Sequence, residues 1–322
     1  SLVPARVLNL VVVVDREWKG EIVNRLARVG RYHASRTILC SVTDSRETID
    51  ARVIMSGEQT GSGLGVLRER VELELGAKHL EHLNTIVDQL QVSDLPTVLW
   101  SPHSLDTAVE SLLDLIDVIL IDTDDPAHFD GPGPALSRAA QLAERVQVVD
   151  LAWLRTTPWR ERLAAAFDEP SRRDELARLS SVAVRHNPGS LVSALLLAGW
   201  LASRLGWEPV ELVLAANGVY RGHAEVGPGT GVSFDFEELD QQVPGIAGVT
   251  VADDFGFSLS LDRGSGGLQA RQRNPAPAPV REWRVLGASR GEDGILGEGV
   301  RQALIPGPIY GAALAAARRF HP

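Results

Sequence analysis

The stretch Val7–Val14 is apolar and largely β-branched, interrupted only by Asn9 and ended by Asp15. A strand of that kind has no polar face to offer to water. It must be covered on both sides, which is the situation of a strand inside a parallel sheet flanked by helices. This run therefore constrains the fold of the first half of the chain more than any other feature.

The succeeding segments agree with it. Glu17–Val29 has helical spacing at Ile22, Leu26 and Val29, with Gly30 as a stop. Arg36–Val42, Asp50–Met55 and Arg68–Leu75 read as strands, the last alternating Val71, Leu73 and Leu75 against Glu72 and Glu74. A glycine-rich loop, 57–65, joins the last two. Ala77–Leu90 and Leu105–Ile116 read as helices, Thr97–Trp100 and Val118–Ile121 as strands. After a Gly131–Pro134 loop a helix runs to Val146, and Val148-Val149 opens a short strand. The alternation predicts an N-terminal α/β sheet domain with helices on its faces.

Pro158 suits the first turn of a helix running to Phe167, and Pro170 marks a boundary where Ser171 caps the next helix. Beyond it Val182–Val184 reads as a short strand and Leu191–Leu205 as a buried helix, being apolar almost all round. Short strands are expected near 231–236, 249–252, 255–261 and 280–286, then two helices, one before Pro306 and one after Pro308. The proline-rich stretch Gly264–Pro279 reads as a long exposed hairpin loop. Two domains are expected: 1–170, α/β, and 171–322, α+β with a mainly antiparallel sheet.

Composition excludes several functions. With 322 residues, 44% hydrophobic, the chain has enough apolar material for sizeable cores. A net charge of −10 argues against nucleic-acid binding, which needs clustered cations. Cys40 is the sole cysteine, so neither an internal disulfide nor a cysteine zinc site is open to one chain, and the context reads as reducing and intracellular. The longest apolar stretch, Leu191–Leu201, is too short to cross a membrane, and the residues from Ser1 to Arg6 do not have the pattern of a signal peptide.

Short motifs give little chemistry. Gly61-Ser62-Gly63-Leu64-Gly65 lacks the third glycine of a dinucleotide fingerprint, Val66 standing there, and it joins two strands rather than a strand and a helix. Gly287-Ala288-Ser289-Arg290-Gly291 has the form of a hydrolase elbow, but its strand is charged and only His321 follows as a base. His79 and His82 lack a third metal ligand. His103, His128, His186 and His223 are scattered. Asp122, Asp124 and Asp125 follow a strand end and offer a Mg²⁺ alternative to an ordinary acidic loop. The enzyme reading that survives is a metabolite- or nucleotide-binding site near Ser101 and Asp122, with a serine hydrolase at Ser289 behind it.

Asp150–Arg160 interleaves Trp153 and Trp159 with Arg155 and Arg160, and Trp and Arg are favoured at interface hot spots. The alternative is core packing, with arginine stems over the rings. A mixed outcome is expected, with the tryptophans inside and the arginine heads outside. This segment resembles the glucose-6-phosphate dehydrogenase assembly protein family, OpcA, whose pattern D-L-x-W-x-R, then W-R-x-x-L-A-x-x-F-D, is met by Asp150, Leu151, Trp153, Arg155, Trp159, Arg160, Leu163, Ala164, Phe167 and Asp168. Leu196–Trp207, containing Trp200, and Asp94–Trp100 are two further collinear segments similar to that family. Ser101-Pro102 departs from it where many members carry a second Trp.

The resemblance implies a cytoplasmic, non-enzymatic protein without cofactor or metal. Its partner would be oligomeric glucose-6-phosphate dehydrogenase, whose active state it would favour in the oxidative pentose phosphate pathway. Arg155 and Arg160 are the expected partner-binding residues. Asp150, Trp153, Trp159, Phe167, Asp168 and Trp200 are the motif residues. An internal disulfide switch, attributed to some members, is out of reach with Cys40 alone.

Overall fold

The computed structural model describes residues 6–29, 35–59, 65–103, 105–215, 218–227, 229–275, 277, 279–286, 291–305 and 307–320. The protein is mixed α/β and divides into two compact units. The first comprises Ser1–Asp122, Gln141–Leu151 and Gly291–Pro306, the second Thr123–Ala140, Ala152–Arg290 and Gly307–Pro322.

The first unit holds β1 (Leu8–Asp15), α1 (Lys19–Val29), β2 (Ser35–Val42), β3 (Asp50–Gln59), β4 (Gly65–Leu75), α2 (Leu83–Asp88), β5 (Thr97–Trp100), α3 (Asp106–Leu112), β6 (Val118–Ile121) and β7 (Gln147–Asp150). α4 (Pro132–Ala143), which belongs to the second unit up to Ala140, precedes β7, and α9 (Glu292–Gln302) returns to the first unit later in the chain. The strands form one sheet in the order β3-β4-β2-β1-β5-β6-β7. Its strand pairs are parallel except the β3–β4 hairpin. As the β-branched run predicts, β1 lies inside the sheet, with Val11 to Val14 fully buried. On one face Val11, Val13, Cys40 and Leu73 pack with Leu83 and Val87 of α2 and Ala108 and Leu112 of α3. α1 packs on α9. The helix expected over 77–90 starts as a 3-10 turn, Ala77–His82, in which His79 Nδ1 accepts the Gly76 N–H at 3.1 Å, a local cap rather than a metal ligand. The expected loop 57–65 is shorter, because β3 reaches Gln59 and β4 starts at Gly65. Its tip, including Gly61 and Gly63, lies outside the described residues.

The alternation in β4 has an unexpected consequence. Glu72 faces away from the apolar row but is only 3% exposed. Lys19 of α1 at 2.9 Å, Arg52 of β3 at 2.6 Å and Arg70 at 2.9 Å surround it. Burial alone would raise its pKa. The hydrogen bonds from Arg52 and Lys19 and the charges of Lys19 and Arg70 outweigh that and hold it down to about 2.

The second unit holds α5 (Leu151–Arg155), which begins one residue before it, then α6 (Thr157–Ala166), α7 (Arg173–Ala177), β8 (Leu179–His186) and α8 (Leu191–Leu205). Next come β9 (Glu208–Pro209), β10 (Val213–Leu214), β11 (Tyr220–Gly227), β12 (Thr230–Glu238), β13 (Ile246–Asp253), β14 (Ser258–Gly264), β15 (Gly267–Arg273), β16 (Arg281–Leu286) and α10 (Tyr310–Phe320). The sheet order is β10-β11-β12-β8-β13-β14-β15-β16, with β9 paired to β11. Among the described residues only β8–β12 is parallel, so the sheet is mainly antiparallel as expected. Its register builds two inner rows, Phe236-Val184-Val249-Leu261-Ala270-Trp283 and Phe234-Val182-Val251-Leu259-Gln272-Arg281.

One expectation for this unit is corrected. Gly264–Pro279 is not one exposed loop, since β15 runs through its middle. Gly266, at φ +79°, makes the tight turn that a side chain would oppose, and Leu268, Ala270 and Gln272 then alternate inward. The buried helix expected at 191–205 is α8. Its Gly199 meets α10 so closely that a Cβ would lie 2.3 Å from the Ala313 carbonyl oxygen and 2.7 Å from the Ala317 nitrogen.

The Glu72 cluster makes stability depend on pH with a definite sign. A folded pKa below the unfolded one stabilises above about 4.5, and the effect fades as pH falls toward about 2. Glu72→Gln should cost roughly 2–3 kcal/mol at neutral pH. Urea titrations of both proteins should show that gap narrowing through the acid range; a gap independent of pH would contradict this account.

Candidate functional site

Two places could carry function: the carboxyl ends of the first sheet's strands, where α/β folds bind ligands, and the Asp150–Asp168 segment.

At the strand ends β1 stops at Asp15, and Arg16–Trp18 form a 3-10 turn leading into α1. No glycine stands in that turn before Gly20. The Trp18 ring stacks on His103, centroids 4.8 Å apart, with His103 held at φ +70°. Burial raises the Asp15 pKa, and the negative charges of Asp44 and Glu17 raise it further. The nearby cations are committed elsewhere: Lys19 to Glu72 and Glu74, Arg16 to Glu74. Arg25 lies over the Trp100 ring at 5.2 Å. Among the described residues Ser101 Oγ is buried without a hydrogen-bond partner. Among the same residues no group of three His, Cys, Asp or Glu side chains could hold a metal.

The second place starts from the next acidic residue. Asp124 caps the amino end of α8: Oδ1 accepts the Ser193 N–H at 2.9 Å, and Oδ2 accepts the Ser193 hydroxyl at 2.5 Å. A carboxylate there also suits the positive end of the helix. Arg155 Nη1 lies 3.8 Å from Asp124 Oδ2, both side chains buried. Gly245, at φ +93°, packs against the Arg155 stem. Asp125 Oδ1 accepts the Ala127 N–H at 3.0 Å. Asp124 therefore serves the start of α8 and Arg155, and Asp125 the backbone of its own loop.

Trp153 and Trp159 are buried, 6% and 0% exposed. The Arg160 guanidinium lies over the Trp153 ring, 3.5 Å from its centroid. Its Nε donates to Thr156 Oγ1 at 2.8 Å and its Nη2 to Thr157 Oγ1 at 2.9 Å. Thr156 in turn donates to the Trp153 carbonyl at 2.7 Å. Tyr310 of α10 stands beside Trp153, centroids 5.7 Å apart. Burial lowers the Arg160 pKa to about 10, so the group stays charged at neutral pH. The expectation that the arginine heads face outward is corrected: Arg155 and Arg160 are each 8% exposed. Asp124 draws one inward, and the Trp153 face with two threonine hydroxyls holds the other.

The remaining motif residues divide. Asp150 is fully buried at the end of β7, and Phe167 packs on Phe257 at 5.8 Å. Asp168 is exposed and Trp200 is half-buried. Ser289 and His321 lie outside the described residues. Sequence reasoning missed Trp18, whose place between β1 and α1 was the available signal. It also missed Arg162, Arg172, Arg281 and Trp283, which line a cavity whose far wall joins β16 to the unforeseen β15.

Two family models match the chain: the glucose-6-phosphate dehydrogenase subunit N-terminal domain over residues 27–141, and the C-terminal domain of the same subunit over residues 146–314. A Synechocystis protein named as OxPP cycle protein OpcA is 28% identical over 242 residues, 72% of this chain and 49% of that protein. A protein of the same name from Synechococcus elongatus is 30% identical over 182 residues, 54% of this chain and 40% of its own. The chain thus spans less than half the length of these curated relatives.

Solved structures share the fold. An NAD-binding oxidoreductase from Klebsiella pneumoniae superposes with a TM-score of 0.54 at 12% identity, covering 97% of this chain and 94% of its own. A 3-ketoreductase from Actinomadura kijaniata, solved with NADP, gives 0.52 at 11% identity, covering 98% and 95%. The residues here do not fit such a dinucleotide. Its pyrophosphate needs a glycine turn that lets backbone N–H groups approach, and this chain offers Arg16, Glu17 and Trp18 amid the carboxylates of Asp15 and Asp44.

Trp159→Ala should cost about 3–5 kcal/mol, as truncation of a large core aromatic does. Arg160→Ala should cost roughly 1–3 kcal/mol through loss of the ring and hydroxyl contacts. Thermal melts of both variants provide the check, and an unshifted Arg160→Ala melt would contradict the packing role assigned to that side chain.

Proposed function

This chain belongs to the glucose-6-phosphate dehydrogenase subunit family, OpcA, and on that premise we propose that it is a non-catalytic partner of the dehydrogenase. It acts in the oxidative pentose phosphate pathway, in the cytoplasm, by binding the oligomeric enzyme and favouring its active state. The observation that carries this reading is the altered β1–α1 turn. An oxidoreductase-like fold has kept its sheet while Trp18, Glu17 and Asp15 stand where a dinucleotide would need glycines. A scaffold so altered suits recognition rather than hydride transfer. The acidic net charge fits a protein partner rather than a nucleic acid.

The mechanism is linkage. A partner that binds the active conformation better than the inactive one shifts the population by that difference. A coupling of ~1–3 kcal/mol changes substrate affinity roughly 5–150-fold. Arg155 and Arg160 serve the complex by fixing the α5–α6 turn, so their loss weakens docking and fold together.

The test is size-exclusion chromatography with the cognate dehydrogenase, with kinetics at sub-saturating glucose 6-phosphate. Co-elution and raised activity are expected. Separate elution with unchanged kinetics would refute the reading. The effect should also be indifferent to reductant. Cys40 is buried in β2, and burial pushes its thiol up to about 12, leaving almost no thiolate to react. Native protein should resist a thiol reagent until unfolded, and dithiothreitol should leave activation unchanged. Reversible loss of activation on reduction would count against this.

A further inference from the structure

A cavity of about 480 Å³ opens in the second unit between α6 and the inner face of β14–β16. Its origin is the sheet register. The two inner rows run from Phe236 and Phe234 outward and end on β16 at Trp283 and Arg281. α6 and the turn after it supply the opposite wall, with Arg162, Ala166, Glu169 and Arg172. Trp283 keeps 39% of its surface open and offers an aromatic face.

Three guanidinium groups meet one carboxylate here. Arg172 is pre-set: its Nη1 donates to the Ala166 carbonyl and to Gln272 Oε1, both at 3.0 Å. Gln272 is 2% exposed and is itself held by Asn274 Oδ1 at 2.7 Å. Arg172 Nε lies 3.7 Å from Glu169, whose side chain is 66% exposed, a weak and screened pairing. Arg162 Nε is buried with no hydrogen-bond partner among the described residues. A buried donor left unsatisfied is costly, and an incoming oxygen acceptor would relieve that cost. Arg281 is exposed and makes no ion pair among the described residues.

We propose that this cavity binds a small phosphomonoester carried on a ring. The phosphate dianion takes the Arg162, Arg172 and Arg281 donors, and the ring lies on Trp283. Guanidinium forks match phosphate oxygens in charge and geometry, and an aromatic face accepts either a sugar ring or a nucleobase. The volume suits one metabolite of that size. The site stands apart from the dehydrogenase reading and would exist whether or not that reading holds.

Calorimetry on the full chain tests it with five probes: inorganic phosphate, glucose 6-phosphate, glucose, AMP and adenosine. Indole fluorescence follows the same titrations. Glucose 6-phosphate or AMP should bind and change the emission, and whichever binds better tells sugar from nucleoside. Glucose and adenosine should bind at least about tenfold more weakly. Arg281→Gln, at an exposed position that leaves the fold intact, and Arg162→Gln should each weaken binding by about tenfold or more. Trp283→Leu should abolish the fluorescence change. Melting curves confirm that each variant is folded. The proposal is overturned if neither phosphorylated compound binds up to ~10 mM. It is also overturned if inorganic phosphate binds as tightly as both, or if folded Arg162→Gln and Arg281→Gln proteins bind like the parent.

Discussion

The backbone-to-backbone approach of α8 and α10 at Gly199 is the contact on which the second unit depends. No side chain fits there, since a Cβ would overlap the Ala313 carbonyl. That closeness seats α10 so that Phe320 reaches Phe234 at 4.8 Å and Phe236 at 5.9 Å on the inner face of the sheet. The Phe320 carbonyl then accepts the Leu212 N–H at 2.8 Å. At its other end α10 places Tyr310 beside Trp153, and Arg160 covers that ring. One glycine thus links the central helix, the sheet core and the Trp-Arg turn.

Burial of charge gives the two units a common character. Glu72 in the first is surrounded by three cations, and Asp124 in the second is divided between a helix end and Arg155. Such groups add little net stability over apolar replacements, yet losing one partner is costly because it strands a charge. They fix which strand and which helix end lie together. The carboxylates at the end of β1 differ. Asp44 and Glu17 both repel Asp15, which makes that edge unsuited to a phosphate ligand.

Most of the fold was legible because pattern and burial coincide. β1 has no polar face, α8 has none either, and the Pro158 helix begins where its ring geometry allows. The family segments also have physical readings now. Gly199 permits helix contact, Asp94 adopts φ +68° in the turn before β5, and Thr156 and Arg160 close on Trp153. The features that were not legible depend on tertiary pairing. β15 looked like loop because glycines and prolines flank it, though its inward alternation was present. The inward turn of Arg155 and Arg160 needed knowledge of Asp124, which lies 31 residues before Arg155, and of the Trp153 face. The cavity at Arg162 and Trp283 joins residues far apart in sequence, which no local spacing reveals.

The two units are not consecutive stretches of chain but six alternating segments. Residues 291–306 complete the first and residues 307–320 the second, so the first lacks a part until residue 306 has been made and the second until Phe320. The first sheet can pair β1 to β6 early, but α1 waits for α9, and the aromatic core of the second sheet waits for α10. A nascent chain halted anywhere before α9 therefore holds two incomplete cores at once. For a cell making this protein, the vulnerable interval lasts until α9 and then α10 have emerged, while chaperone capture competes with closure.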